Sequence, residues 1–367
     1  MIDQRVQKLA KVLVNFSLEV KKGDKVLIEG ESETKSLLIA AVKEVLKAGG
    51  HPEIKVYFPE YIENILKNGT EEQITHINNF EIAKVEKFDC ILSLFEGENL
   101  KTLSNINSEK MRKFAESRSE SNKKFMNKIS SGELRWVGAQ FPLNGVAQEA
   151  EMSLEDYSEF VFKACKVDKE NPVEEWKKLR DFQEKIVEYL DNVDKIRIVS
   201  EGTDLSMRVK GRKWINSYGK KNMPDGEVYT SPIEDSVNGN ISFDFPAIFQ
   251  GREVKNIRLK FKDGKCIEAK AEKGEEYLNE ILNIDDGSKY LGEVAVGTNY
   301  DIPKFTKNIL FDEKLGNTVH IAMGNGFKES GSKNESGIHW DMICDMKNGG
   351  VIYADDKKIY EDGKFII

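Results

Sequence analysis

The sequence predicts an α/β N-terminal domain with a largely parallel sheet, followed by a mainly antiparallel β (α+β) C-terminal domain. Three observations carry this. Up to about residue 190, short apolar runs alternate with stretches of helical period, the order that builds a parallel sheet covered by helices. Beyond that point the texture changes to alternating apolar and polar residues, punctuated by Asp263-Gly264 and Asp362-Gly363 turns. The length of 367 residues matches two domains at about 100–200 residues each. The expected domains are 1–192 and 193–367.

Each element follows from its pattern. Residues 2–20 place Val6, Leu9, Val12, Leu13 and Phe16 on one helical face. Val26-Leu27-Ile28 reads as a buried strand. Ser32 to Gly49 reads as a helix stopped by Gly49-Gly50. Ile54 to Phe58 is a strand, followed by helices near 59–68 and 70–86 and a strand from Asp89 to Phe95. Residues 107–129 are highly charged but helical in period, and Trp136 to Phe141 is a strand. Helices at 153–164 and 173–191 close the first half, the second with Pro172 near its first turn. In the second half, Ile196–Val199, Leu205–Val209, Ile257–Phe261 and Val351–Tyr353 are strand-like, with one helix near 274–283.

Composition excludes several classes of function. Lys+Arg total 55 against 63 for Asp+Glu, a net charge of −8. That balance disfavours nucleic acid and anionic membranes as partners. No apolar stretch approaches the roughly 18 residues needed to span a bilayer. The first residues lack a secretory signal pattern, so a cytoplasmic protein is expected. Cys90, Cys165, Cys266 and Cys344 are scattered with no CxxC pair, which reads as reduced core thiols rather than a thiolate zinc site. Glu29-Gly30-Glu31 lacks a phosphate-loop pattern and reads as a strand-to-helix turn. No GxSxG or cysteine-protease signature is present.

The four histidines are unevenly placed. His51 and His76 have no ligand or nucleophile partner near them in sequence and read as structural or surface residues. His339-Trp340-Asp341 puts an imidazole and a carboxylate at i and i+2, on one face of an extended strand. His320 lies in the strand-like stretch Thr318–Ala322. Two imidazoles and a carboxylate are the minimum for a zinc, cobalt, manganese or iron site. The competing reading makes His320 a satisfied core histidine and pairs His339 with Asp341. Glu227, Glu293 and Glu313 each interrupt or abut an apolar, glycine-punctuated stretch, and a buried carboxylate is costly unless paired or bound to metal. Together the six residues have the composition of a two-metal centre.

The stretches NMPDGEVYTSP, LGEVAVGTNY, ILFDEKLGNTVHIAMGNGF and NESGIHWDMICD resemble the aminopeptidase T family of dinuclear metallo-aminopeptidases, also called thermophilic metalloproteases. Weaker likeness extends through VNFSLEVKKGDKVLIEG, VLKAGGHPEIKVY and the region of MSLEDY. The resemblance implies metal ligands at Glu227, Glu293, Glu313, His320, His339 and Asp341. Glu293 is then the bridging ligand and the catalytic carboxylate near the attacking water. It implies two divalent ions per chain (zinc, cobalt or manganese), short peptides as substrates and a homodimer. One departure stands out. Family members commonly carry a tyrosine where this chain has Phe327, so oxyanion stabilisation by that hydroxyl is absent; Tyr229 and Tyr300 are the alternative donors. The stretch between His320 and His339 is also short, which implies a different pocket rim. Two other readings compete. One is a non-haem Fe(II) ring-cleaving dioxygenase using His320, His339 and Asp341. The other is a catalytically degenerate family member that binds metal or peptide.

Overall fold

The computed structural model describes residues 3–95 and 97–367. Its contacts divide the chain into two compact units. One is Met1–Glu175 with Gly219–Pro224, and the other is Trp176–Tyr218 with Asp225–Ile367.

The first unit is built on strands β1 (Lys25–Glu31), β2 (His51–Tyr57), β3 (Cys90–Leu94) and β4 (Arg135–Ala139). Their order is β2-β1-β3-β4, completed by the short strand Asn222–Met223. Every pairing is parallel, as the alternation of strand and helix predicts. Helix Lys35–Ala48 links β1 to β2 and buries Leu37, Leu38, Ala40, Ala41 and Val45. It ends where Gly49 turns left-handed at φ 82°, a conformation that costs glycine nothing. Helix Ser108–Ser131 buries none of its residues. Surface pairs one turn apart, Arg112–Glu116 and Lys124–Glu120, support it locally.

Three details differ from the sequence pattern. After helix Gln4–Lys11 the chain widens into a π-helical turn over Val12–Ser17, and Ile2 lies outside the described residues. The helix expected over 70–86 is two, Glu71–Thr75 and Asn79–Lys87. Asn78 causes the break: its side chain accepts from the Glu81 N–H and starts a new helix. Glu29 and Glu31 are not part of a turn but buried residues of β1. Glu29 takes Lys84 Nζ at 2.5 Å and Ser93 Oγ at 2.8 Å. Glu31 Oε2 accepts from the Gly97 and Glu98 amides.

The second unit is mainly antiparallel. Its larger sheet has eight strands, from Lys265–Lys270 at one edge to Lys364–Phe365 at the other. Its second sheet has the order β9-β8-β7-β6-β5, with β5 Ile215–Ser217, β6 Glu227–Thr230, β7 Leu291–Gly297, β8 Thr318–Gly324 and β9 His339–Asp345. All its pairings are antiparallel. One face supplies Val228, Val294, Val296, Val319, Ile321, Met323, Trp340, Met342 and Cys344 to a single apolar core. Ile186, Val187 and Leu190 of helix Pro172–Leu190 join that core; the boundary expected after residue 192 assigns this helix to the N-terminal domain. All four cysteines are buried, and none is in a disulfide. Among the described residues no helix is long and apolar enough to cross a membrane.

Candidate metal centre

Strand alternation builds the site. With alternate residues of each strand given to the core, the opposite face of the β5–β9 sheet receives Glu227 and Tyr229 from β6, Glu293 and Ala295 from β7, His320 and Ala322 from β8, and His339 and Asp341 from β9. The register aligns them. Glu293 lies opposite Ala322, and Ala322 opposite Asp341. Ala295 stands between Tyr229 and His320. Gly297 lies opposite Glu227, and Gly324 opposite His339. Small residues thus separate the long polar ones, which leaves room for their ends to converge. A register irregularity between Leu291 and Glu293 lets Leu291 enter the core while Glu293 turns to the polar face, the re-aiming that a bulge performs.

Glu313 arrives from outside the sheet. It follows the short helix Ile309–Asp312, which is capped by Asn308. The backbone after it lies directly on β7: a Cβ at Gly297 would stand 2.1 Å from the Leu315 carbonyl oxygen. Only glycine permits that approach.

All six residues singled out in the sequence meet here. Their donor atoms form three overlapping groups, each with all atoms within 4.8 Å: Glu227–Glu293–His320, Glu293–His339–Asp341 and Glu313–His320–Asp341. His320 Nε2 is 3.4 Å from Glu227 Oε2 and 3.9 Å from Glu293 Oε1. His339 Nε2 is 3.2 Å from Glu293 Oε2 and 3.5 Å from Asp341 Oδ1. His339 Nδ1–H donates to the Asn325 carbonyl at 2.7 Å, since a carbonyl oxygen can only accept. That bond holds the ring with Nε2 turned toward the carboxylates. His51 and His76 are exposed and stand outside the cluster.

The cluster is buried yet incompletely paired. Glu227 Oε2, Asp341 Oδ1 and both ring nitrogens of His320 have no hydrogen-bond partner. Orphaned buried polar atoms are rare and costly. Here they are all oxygen and imidazole donors, the set that suits a divalent first-row cation. Burial pushes the Glu227 carboxyl up to about 7, against the pull of Lys314. Glu293 is raised for the same reason. Burial lowers His320. For His339 the burial effect is outweighed by Asp341 and Glu293, and its imidazolium is held up to about 11. Asp341 stays low despite burial because His339 is beside it.

Three further residues surround the centre. Phe327 packs on His339 and on Tyr229, at 5.0 and 5.3 Å between ring centres. The Tyr229 hydroxyl donates to Glu329 Oε1 at 2.6 Å, whereas the Tyr300 hydroxyl donates to the Gly363 carbonyl. Lys314 is fully buried, with its ammonium between Glu227 and Glu313. Sequence reasoning passed over Lys314, because a lysine after Asp312-Glu313 reads as a solvated loop residue. The available signal was its place between apolar Ile309-Leu310-Phe311 and Leu315-Gly316.

The family model for the thermophilic metalloprotease (M29) matches residues 2–365. The chain belongs to that family. It is therefore a metal-dependent peptide hydrolase. Aminopeptidase AmpS of Bacillus subtilis is 26% identical over 425 residues, covering 99% of this chain and 98% of that one. The solved structure of wild-type AmpT from Thermus thermophilus superposes with a TM-score of 0.86 at 23% identity, covering 100% of both chains. The M29 chain thus has the AmpT fold, as the α/β and antiparallel halves predict. The structure of 2,5-dihydroxypyridine dioxygenase from Pseudomonas putida KT2440 has a TM-score of 0.56 at 14% identity, over 100% of this chain and 98% of that one. That likeness concerns the fold alone.

Proposed function

We propose that this M29 protein is an aminopeptidase that releases N-terminal residues from short peptides at a two-ion centre. The observation that carries the reading is the convergence of three donor groups on one buried, under-paired cluster. Glu227, Glu293 and His320 would hold one ion, and Glu293, His339 and Asp341 the other. Among the carboxylates shared between groups, Glu293 is the one common to these two and would be held by both ions. Glu313 completes the set. Bound divalent ions polarise the scissile carbonyl and lower the pKa of water, and zinc, cobalt or manganese suits these donors.

The chain's own groups do the rest. Glu293 takes a proton from the attacking water and returns it to the leaving amine. Asn325 holds the His339 ring through Nδ1, so that Nε2 stays aimed at the centre. Phe327 covers His339 and Tyr229 with an apolar face and keeps bulk water from that side. The free α-amine of the substrate is the group that N-acetylation removes. Four cysteines without a disulfide fit a cytoplasmic protein, and a homodimer is part of this reading.

The ring-opening alternative needs His320, His339 and Asp341 to share one iron. Among the described residues, no three-donor group within 4.8 Å contains both imidazoles, and three glutamates converge that a single iron does not require. Two measurements test the proposal. Elemental analysis of protein purified without added metal should find two divalent ions per chain. Aminoacyl-nitroanilides and short peptides should be cleaved and their N-acetylated forms left intact. One iron per chain with oxygen uptake on hydroxypyridines would overturn it, and metal binding without turnover would assign the degenerate reading.

A further inference from the structure

A lysine with no exposed surface inside a cluster of acids is the least expected group in the second unit. The Lys314 side chain is 0% exposed. Its ammonium stands 3.4 Å from Glu227 Oε1 and contacts Glu313 Oε1. The other Glu227 oxygen, Oε2, is the one left without a hydrogen-bond partner, 3.4 Å from His320 Nε2. Glu227 thus turns one oxygen to the lysine and the other to the centre. Backbone geometry keeps Lys314 in place. Its N–H donates to Phe311 O, its carbonyl accepts from the Asn299 N–H at 3.0 Å, and Gly297 lets the following residue lie against β7. Four carboxylates, Glu227, Glu293, Glu313 and Asp341, are gathered in this space with side chains no more than 17% exposed. Carboxylates buried together repel one another and favour neutralisation unless a cation is present.

We propose that Lys314 is a positioning residue and built-in counter-cation of the metal centre. Its ammonium holds Glu227 and Glu313 together in the metal-free chain and leaves each a single oxygen for an ion. This rests on the metal-centre reading above, and it adds a division of labour. The sheet residues present donors, and Lys314 sets how two of the carboxylates offer them. An arriving divalent cation then takes over the charge balance that the lysine has carried for Glu227 and Glu313, while His339 faces Glu293 and Asp341. The consequence is asymmetric: loss of the Lys314 charge harms the metal-free protein more than the loaded one.

The test uses the full chain as wild type, Lys314→Met and the double variant Lys314→Met/Glu313→Gln, each stripped with chelator and reloaded with cobalt(II). Methionine keeps the length and apolar stem without the charge. Removing one partner of a buried ion pair is strongly destabilising, so the Lys314→Met melting temperature should fall by roughly 10 °C without metal and by less than half of that with cobalt. The double variant, with one carboxylate charge fewer, should recover most of the metal-free loss. The visible cobalt spectrum of Lys314→Met should weaken relative to wild type, as carboxylates freed from the lysine bind through both oxygens and coordination rises. Equal losses with and without cobalt, or no recovery in the double variant, would overturn the proposal and leave a packing role. If Lys314→Met does not fold in either state, recovery of a folded double variant decides in favour and its failure decides against. If cobalt does not raise the wild-type melting temperature, the metal reading fails, while the metal-free comparison still decides the counter-cation role.

Discussion

Both units bury carboxylates, and Glu29 of the first contrasts with the acidic cluster of the second. In the first unit, Glu29 on β1 is held by Lys84 and Ser93, and Glu31 receives two backbone amides. In the second unit, Glu227, Asp341 and His320 are buried with orphaned atoms. The chain pays for polar burial in both places by the same rule, that a buried charge needs a partner. For Glu29 the fold supplies the partner, as it does for the buried Asp312 of the second unit, which accepts from Thr306. Around His320 it leaves several donor atoms over in one place, which is the state expected of a site that awaits a cation. Burial of an acid is therefore not the mark of function; what its oxygens touch is.

The sharpest way to break this contrast is Glu293→Gln. Hydrolysis of an aminoacyl-nitroanilide should fall by about 10³-fold, the range for removal of a general base. The metal-free melting temperature should hold or rise, because glutamine neutralises one of four carboxylates that repel one another in a buried space. Retained activity would remove Glu293 from the mechanism. The matched change in the first unit is Glu29→Gln. It should leave hydrolysis unchanged and lower stability by about 2 kcal/mol in denaturant titration, since Lys84 loses its carboxylate. A loss of activity there would break the assignment of the first unit's acids to structure.

A smaller effect is expected from Phe327→Tyr. A hydroxyl restored against His339 and Tyr229 should raise kcat by about 10-fold, with KM little changed. A near-inert parent brought to full activity would instead assign the natural chain as degenerate. The smallest effect concerns Asp24 in the first unit. Burial opposes its ionisation, but the Lys21 N–H and Arg135 more than offset this and hold its carboxyl below the ordinary value. A group with a lowered folded pKa contributes stability above its unfolded pKa and loses it as pH falls through the folded one. Asp24→Asn should therefore cost about 1 kcal/mol at neutral pH, with the difference from wild type vanishing in acid. A difference that persists in acid would mean that the ion pair is not its source.

Much of this was legible in the residues. Period alone separates the helix-and-strand half from the antiparallel half. The i and i+2 spacing of His339 and Asp341 puts them on one face of β9, because strand alternation is local and needs no partner. The donor set came through motifs whose glutamates stand in apolar, glycine-marked text. Local pattern failed where the cause was not local. The helix over 70–86 breaks because the Asn78 cap competes with helical period. Glu29 and Glu31 read as turn residues because their partners lie on other elements, Lys84 and Ser93 for the first and the Gly97–Glu98 amides for the second.

The sequence by itself determined the two textures and the alternation of the site strands, since each depends on residues close in the chain, and the family resemblance named the candidate donors. Tertiary structure alone decided which of those donors meet. Register across β6–β9 sets Glu293, Ala322 and Asp341 in one row, and Gly297 brings the Lys314 segment onto β7. Those choices depend on strands as far apart in the chain as Glu227–Thr230 and His339–Asp345, where charge balance and close packing act through space and no short stretch of sequence carries them.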